Sequence, residues 1–161
     1  MLLFALFVSV GFGLVFAPPL APFFEYFTRL VATASEVIIR IGGGHVQVSA
    51  FTLTAPDGFS IVVANGCNGI NVVVLLWSAL LAWPAGRWTD KVKGMGFGML
   101  AIQAANSLRI ITLFYLGQWN QQWFEVMHLY VWEILIMVLG LAVFAIWVRR
   151  TQASAIPDGA K

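Results

Sequence analysis

Residues 94 to 116 read GMGFGMLAIQAANSLRIITLFYL, an apolar run interrupted by one charge, Arg109. A membrane-spanning helix needs about 20 such residues, so this stretch predicts a span. A guanidinium inside a span costs a few kcal/mol on insertion scales and faces a polar interior or a partner. Arg109 lies seven residues before Leu116, about 10 Å inside the helix end at ~1.5 Å per residue. Asn106 precedes it by one helical turn, so the two share a face and extend one polar stripe toward a bundle interior. Read blandly, Arg109 is a structural cation paired with Glu133 or a lipid phosphate.

The rest of the chain has the same character. Of its 161 residues, 60% are hydrophobic and 10% charged, with 9 basic and 7 acidic side chains, and the mean hydropathy is +0.87. A soluble domain carries roughly a quarter charged residues, so lipid must cover this surface. A net charge of +2 with no basic run among aromatics gives nothing to follow a phosphate backbone, and no nucleic-acid partner is expected. One cysteine and two histidines cannot complete a structural zinc site, and neither a metal nor a cofactor is expected.

Three further apolar runs flank the first. Met1 to Ala17 stops at Pro18 and Pro19 and is read as a retained span, since it has no basic start and a poor cleavage site. A shorter run follows Cys67 as far as Trp83, and another extends from His128 to Val148. Arg87, Lys91 and Lys93 lie after the second run, and Arg149, Arg150 and Lys161 after the fourth, against Arg29 and Arg40 in the long segment before Cys67. The positive-inside tendency therefore puts the 84–93 loop and the tail in the cytoplasm, and the 18–66 segment and the 117–127 loop outside. Trp83, Trp88 and Trp147 then fall at the inner boundary and Trp119 and Trp123 at the outer one.

Within the outward segment, Phe23 to Ile41 reads as an interfacial amphipathic helix bearing Glu25, Arg29, Glu36 and Arg40 and closed by Gly42-Gly43-Gly44. Alternation at Val46, Val48 and Ala50, a turn at Pro56-Asp57-Gly58 and resumption over Phe59 to Val63 predict a β-hairpin that leads into the cysteine. The expected fold is an all-α membrane protein in a single integral domain over residues 1–161. It has about four transmembrane helices, at 1–17, 68–83, 94–116 and 128–148, plus the amphipathic helix and the short hairpin.

Cys67 opens the second span within Asn65-Gly66-Cys67-Asn68-Gly69-Ile70. Glycines around the thiol permit a tight turn and close approach of a substrate. The helix beyond it presents free N–H groups and a positive dipole end, which suits a thiolate nucleophile and supplies donors to an oxyanion. His128 opens the fourth span on the same outward side, with Glu125 three residues earlier to orient its imidazole. Taken singly, the cysteine reads as packing and the histidine as an interfacial polar group. Together with Arg109 they come from three helices to one membrane face. A thiol needs a base to ionise it and an acid for the leaving amine, and a histidine can serve as both. Arginine can anchor a substrate carbonyl or stabilise a tetrahedral oxyanion. The constellation reads as acyl transfer by cysteine.

Asn65-Gly66-Cys67-Asn68-Gly69-Ile70, then Asn106-Ser107-Leu108-Arg109-Ile110, then His128 at the start of a span resemble the Cys, N-x-x-R and His motifs of the exosortase/archaeosortase family. Phe114-Tyr115-Leu116-Gly117 and His128-Leu129-Tyr130-Val131-Trp132 are most similar to the exosortase H type, and the likeness covers about residues 23–148. The resemblance implies a multipass transpeptidase of the bacterial inner membrane, with its site facing the periplasm. Its substrates would be exported proteins with a C-terminal sorting signal: a short motif similar to Ile-Pro-Thr-Leu, a transmembrane helix and a basic tail. It implies Cys67 as nucleophile, His128 as general acid/base and Arg109 as stabiliser of the substrate carbonyl or transition state. Asn106, Asn68 and Glu125, from their positions beside these residues, are the candidates to support them. Membrane lipid is the other expected partner.

Two other readings share the hydropathy. A non-catalytic membrane scaffold or assembly subunit would be indifferent to Cys67→Ala. A bis-histidine haem protein would use His45 and His128, but His45 lies in a glycine-rich outward segment rather than on a facing helix. The alternating residues 46 to 52 also suggest that the hairpin holds an extended substrate motif by strand addition.

Overall fold

The computed structural model describes residues 1–64 and 67–153. The part of the cysteine motif at Asn65 and Gly66, and Lys161 of the tail, lie outside the described residues.

Helix α1 (Leu2–Val15) is apolar on every side and buries none of its own residues. Pro18 and Pro19 cannot continue its hydrogen-bond ladder, and after a 3-10 turn over Pro18–Leu20 the chain restarts as α2 (Ala21–Ile41). The two helices are bent by 63° at this break. Helix α2 is the expected amphipathic element. Phe24, Thr28, Val31, Ala32, Ser35 and Ile39, spaced by three and four residues, form its buried stripe. Glu36 and Arg40 pair one turn apart on the polar side at 2.6 Å.

The expected hairpin is a three-stranded antiparallel meander: β1 (Gln47–Ser49), β2 (Thr52–Thr54) and β3 (Ser60–Val62), in the order β1-β2-β3. The first turn is a two-residue connection between the Ser49–Thr52 pair, and Ala50 takes φ 55° there. Such a left-handed position favours Gly or Asn, so an alanine gives no turn signal. The second turn is where Pro56-Asp57-Gly58 places it, with Gly58 at φ 90°.

Beyond Cys67 come α3 (Ile70–Ala82), α4 (Trp88–Trp119), α5 (Gln121–Val126), a π-helical turn over Met127–Val131, and α6 (Trp132–Ala153). Helix α4 reaches well past both ends of the apolar run, and the 84–93 loop shrinks accordingly. Lys91 Nζ reaches back from α4 to the carbonyls of Leu81 (3.0 Å) and Trp83 (2.7 Å), closing the C-terminus of α3. The 117–127 segment, expected as a loop, is helical except at Asn120. There the Asn120 Oδ1 accepts from the N–H groups of Gln122 (2.9 Å) and Trp123 (3.1 Å) and starts α5 at once.

Among the described residues, two helical stretches are long and apolar enough to cross a membrane, Trp88–Trp119 and Gln121–Gln152, or three if the bent α1–α2 pair is one span. The expected count of four is not reached, for a simple reason of length. With 14 and 13 residues, α1 and α3 rise about 20 Å, short of the ~30 Å of a hydrocarbon core.

Two packed clusters hold these elements. Val72, Val73, Leu76 and Leu80 of α3 meet Ile102 and Leu113 of α4 and Trp132, Ile136, Val143 and Trp147 of α6. At one end of this bundle, Val31, Ala32 and Ile39 of α2, Leu53 and Val63 of the sheet region, and Ile110 and Phe114 of α4 make the second. Helix α4 belongs to both, so the sheet is fixed against the C-terminal half of the helix that carries Arg109.

Candidate active site

The cysteine is placed by its neighbours. Val63, just after β3, is pinned to the sheet by its N–H to Phe51 O (2.8 Å), and Cys67 N–H donates to Ala64 O (2.9 Å). On the other side, Asn68 is fully buried. Its Oδ1 accepts from Ile70 N–H at 3.1 Å, satisfying a free donor at the start of α3, and its Nδ2 donates to Thr28 Oγ1 of α2 at 3.1 Å. Gly69 at φ 75° then turns the chain into α3. A Cβ at Gly69 would lie 3.1 Å from Gln103 Nε2 and 3.4 Å from Asn106 Cβ, so these α4 amides close over the turn from below. Asn106 is buried beside Gly69, and its side-chain nitrogen and oxygen have no hydrogen-bond partner among the described residues. Asn68 thus ties the cysteine turn to α2 and α3, and Asn106 lies against Gly69 from α4.

Cys67 Sγ stands 3.4 Å from His128 Nε2, within reach of a sulfur hydrogen bond, and both residues are half-buried. The thiol can donate to an unprotonated Nε2, and after transfer the imidazole N–H can donate to the thiolate. An aromatic series sets the imidazole in place. Its ring lies 5.5 Å from that of Phe124, Phe124 stands edge-on to Phe59 at 6.1 Å, and Phe59 packs on Phe114 at 6.4 Å. Phe59 fits because residue 117 is glycine: a Cβ there would collide with the Cζ end of its ring.

Arg109 is 4% exposed. Its Nη1 pairs with Glu133 Oε2 at 3.4 Å and its Nη2 donates to the main-chain carbonyl of His128 at 3.3 Å. That carbonyl is available because of the π-helical turn. Trp132 N–H, which an α-helix would give to residue 128, goes instead to Met127 O. The ion pair of the bland reading is therefore present, and a second contact ties Arg109 to the histidine. Glu125 is not brought to the imidazole; its carboxylate takes Gln121 Nε2 at 3.5 Å on the exposed side of α5.

Cys67, Arg109 and His128 line one cavity of ≈ 280 Å³, together with residues 59–63 and Phe124. The three residues singled out in the sequence thus converge on one space. Sequence reading placed a strand over Phe59 to Val63 but not as a wall of the site, and it missed Phe124. Phe59 carried a visible signal in its hairpin position, whereas Phe124 lies in a segment expected to be loop. His45 lines a different cavity, with Arg40 and Gly43 to Gln47, so the histidine pair of a haem slot does not assemble. Among the described residues no three His, Cys, Asp or Glu side chains converge as a metal site.

The sequence matches the family model of transmembrane exosortases (EpsH type) over residues 1–148. The chain belongs to the exosortase family. No curated protein and no solved structure matches it. It is accordingly a membrane protein of this family, and the described site lies where the three family-like motifs meet.

Proposed function

We propose that this exosortase is a membrane-embedded cysteine transpeptidase or protease. It cuts exported proteins at a C-terminal sorting signal and transfers or releases them at the outer face of the bacterial inner membrane. The observation that carries this reading is the 3.4 Å approach of Cys67 Sγ to His128 Nε2 at the cavity that Arg109 also lines. Orientation follows from charge: Arg87, Lys91, Lys93, Arg149 and Arg150 sit at the end of the bundle away from the site, which suits a cytoplasmic end and a periplasmic site.

In the proposed cycle His128 Nε2 takes the thiol proton, and Cys67 Sγ attacks the scissile carbonyl carbon. The tetrahedral oxyanion collapses with loss of the C–N bond, and His128 returns the proton to the leaving amine. A thioester on Cys67 remains. Water or an acceptor amine then attacks it, gives its proton to His128, and releases the thiolate. A guanidinium has five N–H donors, so Arg109 holds the His128 carbonyl and Glu133 and still has donors for a substrate carbonyl or oxyanion. Asn106, Asn68 and Gly69 hold the turn that aims the sulfur. The substrate signal is a short motif of the Ile-Pro-Thr-Leu kind, a transmembrane helix packed laterally against the bundle and a basic tail, with membrane lipid around both chains.

The test is co-expression with a tagged reporter bearing such a signal. Wild type should give a shortened or conjugated product whose mass identifies water, a glycan amine or a lipid amine as acceptor, and Cys67→Ala should give none. The Arg109–Glu133 pair also suits the second reading, a non-catalytic scaffold, which expects the same product pattern with Cys67→Ala as with wild type.

A further inference from the structure

Strand β3 is the edge of the sheet, and its hydrogen-bonding groups divide cleanly between two sides. Ala55 N–H donates to Phe59 O and Val63 N–H to Phe51 O, both at 2.8 Å, and Leu53 faces Ile61 between them. In an antiparallel ladder the groups of alternate residues point the same way. Residues 59, 61 and 63 therefore turn their main-chain groups to β2, and Ser60 and Val62 turn theirs outward. Both residues are exposed, and Val62 is 63% accessible. An open edge is a template for another strand, and proteins normally cover or charge it. Here it is uncharged and lines the cavity that holds Cys67, Arg109 and His128.

We propose that the β3 edge is the substrate-peptide subsite. An extended segment of the sorting signal adds as a fourth strand, exchanging main-chain hydrogen bonds with Ser60 and Val62, and this pairing sets the scissile carbonyl against Cys67 Sγ. This rests on the transpeptidase reading and adds how the substrate is held. The occupant is an extended polypeptide because only a strand offers N–H and C=O groups at the two-residue repeat of Ser60 and Val62. Continuity between the edge and the reacting side chains selects the substrate over other strands. Apolar walls at Phe59, Ile61, Leu113 and Phe124 suit apolar substrate side chains. The opposite edge, at β1, does not qualify: Arg40 Nη2 already caps the Val46 carbonyl at 3.1 Å, and the cavity there contains His45 rather than the thiol. Strand addition thus belongs to β3 and not to the alternating residues 46 to 52.

The test uses the full chain in membranes and a reporter that the wild type processes. With Cys67→Ala to stop turnover, a photo-crosslinking residue at position 60 should capture the reporter and one at position 48 should not. In the active chain, Val62→Pro removes an outward N–H without touching the β2 ladder and should lower processing at least tenfold, whereas Val48→Pro, on the opposite edge, should stay within about twofold of wild type. Capture from position 48 alone, capture of a second copy of this chain instead of the reporter, or full processing by Val62→Pro would each overturn the proposal. Loss of the transpeptidase reading is seen separately, as processing that persists in Cys67→Ala.

Discussion

Arg109 holds the main-chain carbonyl of His128, Nη2 to O at 3.3 Å, and the carbonyl is free to accept because the helix at His128 makes a π-turn. The same guanidinium pairs with Glu133 one turn beyond that break. A buried cation thus braces the helix distortion that carries the imidazole, a role distinct from contact with the substrate. Lysine cannot divide a planar fork between two acceptors. Arg109→Lys should therefore lower processing on the order of 100-fold, the scale of loss from an ångström-sized displacement of a reacting group. Processing assays beside a protein-level blot check this; activity within a fewfold of wild type would show that the brace is dispensable.

Two carboxylates near His128 separate in consequence. Glu133 meets Arg109, while Glu125 meets Gln121 on the exposed side. Glu125→Gln should leave processing within about twofold, and Glu133→Gln should reduce it roughly tenfold by loosening Arg109, about 1.4 kcal/mol and near the low end for a bond to a charged group because the Glu133 carboxylate is exposed. The reverse order of effects in the reporter assay would restore Glu125 as the partner of the imidazole.

The turn bearing the thiol is tied to α2 through the Asn68–Thr28 hydrogen bond, with both side chains buried. Thr28→Val leaves a buried amide donor unsatisfied and should cost about 1 to 3 kcal/mol. Asn68→Ala removes both that bond and the one to Ile70 N–H, and should cost at least as much. Because the two share a contact, the double variant should fall short of the sum. Chemical unfolding of the purified protein in micelles reads all three, and strict additivity would contradict the coupling.

Gly117 leaves room for the Phe59 ring that supports Phe124 and, through it, His128. Gly117→Ala should displace Phe59, destabilise the fold by about 1 to 3 kcal/mol through overpacking, and reduce processing more than that loss accounts for. Shaving the ring with Phe59→Leu in the same chain should restore stability before activity. No loss of stability in Gly117→Ala would mean the ring has another place to go.

Much of this site is legible in the residues. Cys67, Arg109 and His128 each stand out because their chemistry conflicts with an apolar setting, and the positive-inside reading of the charges predicts that they share one face. The amphipathic stripe of α2 is equally visible, because burial there follows the three-and-four spacing. What escapes has physical reasons. Ala50 makes a left-handed turn without the usual glycine, which hides β1 from β2. Asn120 caps a new helix immediately after α4, and hydropathy alone reads its neighbours as loop. The π-turn at His128 depends on which carbonyl Trp132 chooses, a matter of tertiary contact with Arg109 that no local pattern encodes. Helices α1 and α3 are apolar enough to look like spans but too short to rise through a full hydrocarbon core.

The most direct measurement is mass spectrometry of the exosortase isolated with its reporter during turnover and digested without reductant. The account predicts a substrate acyl group attached to the Cys67 peptide, released by hydroxylamine as a thioester must be, and absent from Cys67→Ala. Continued processing by Cys67→Ala, or product formation with the acyl group found on another residue, would contradict it.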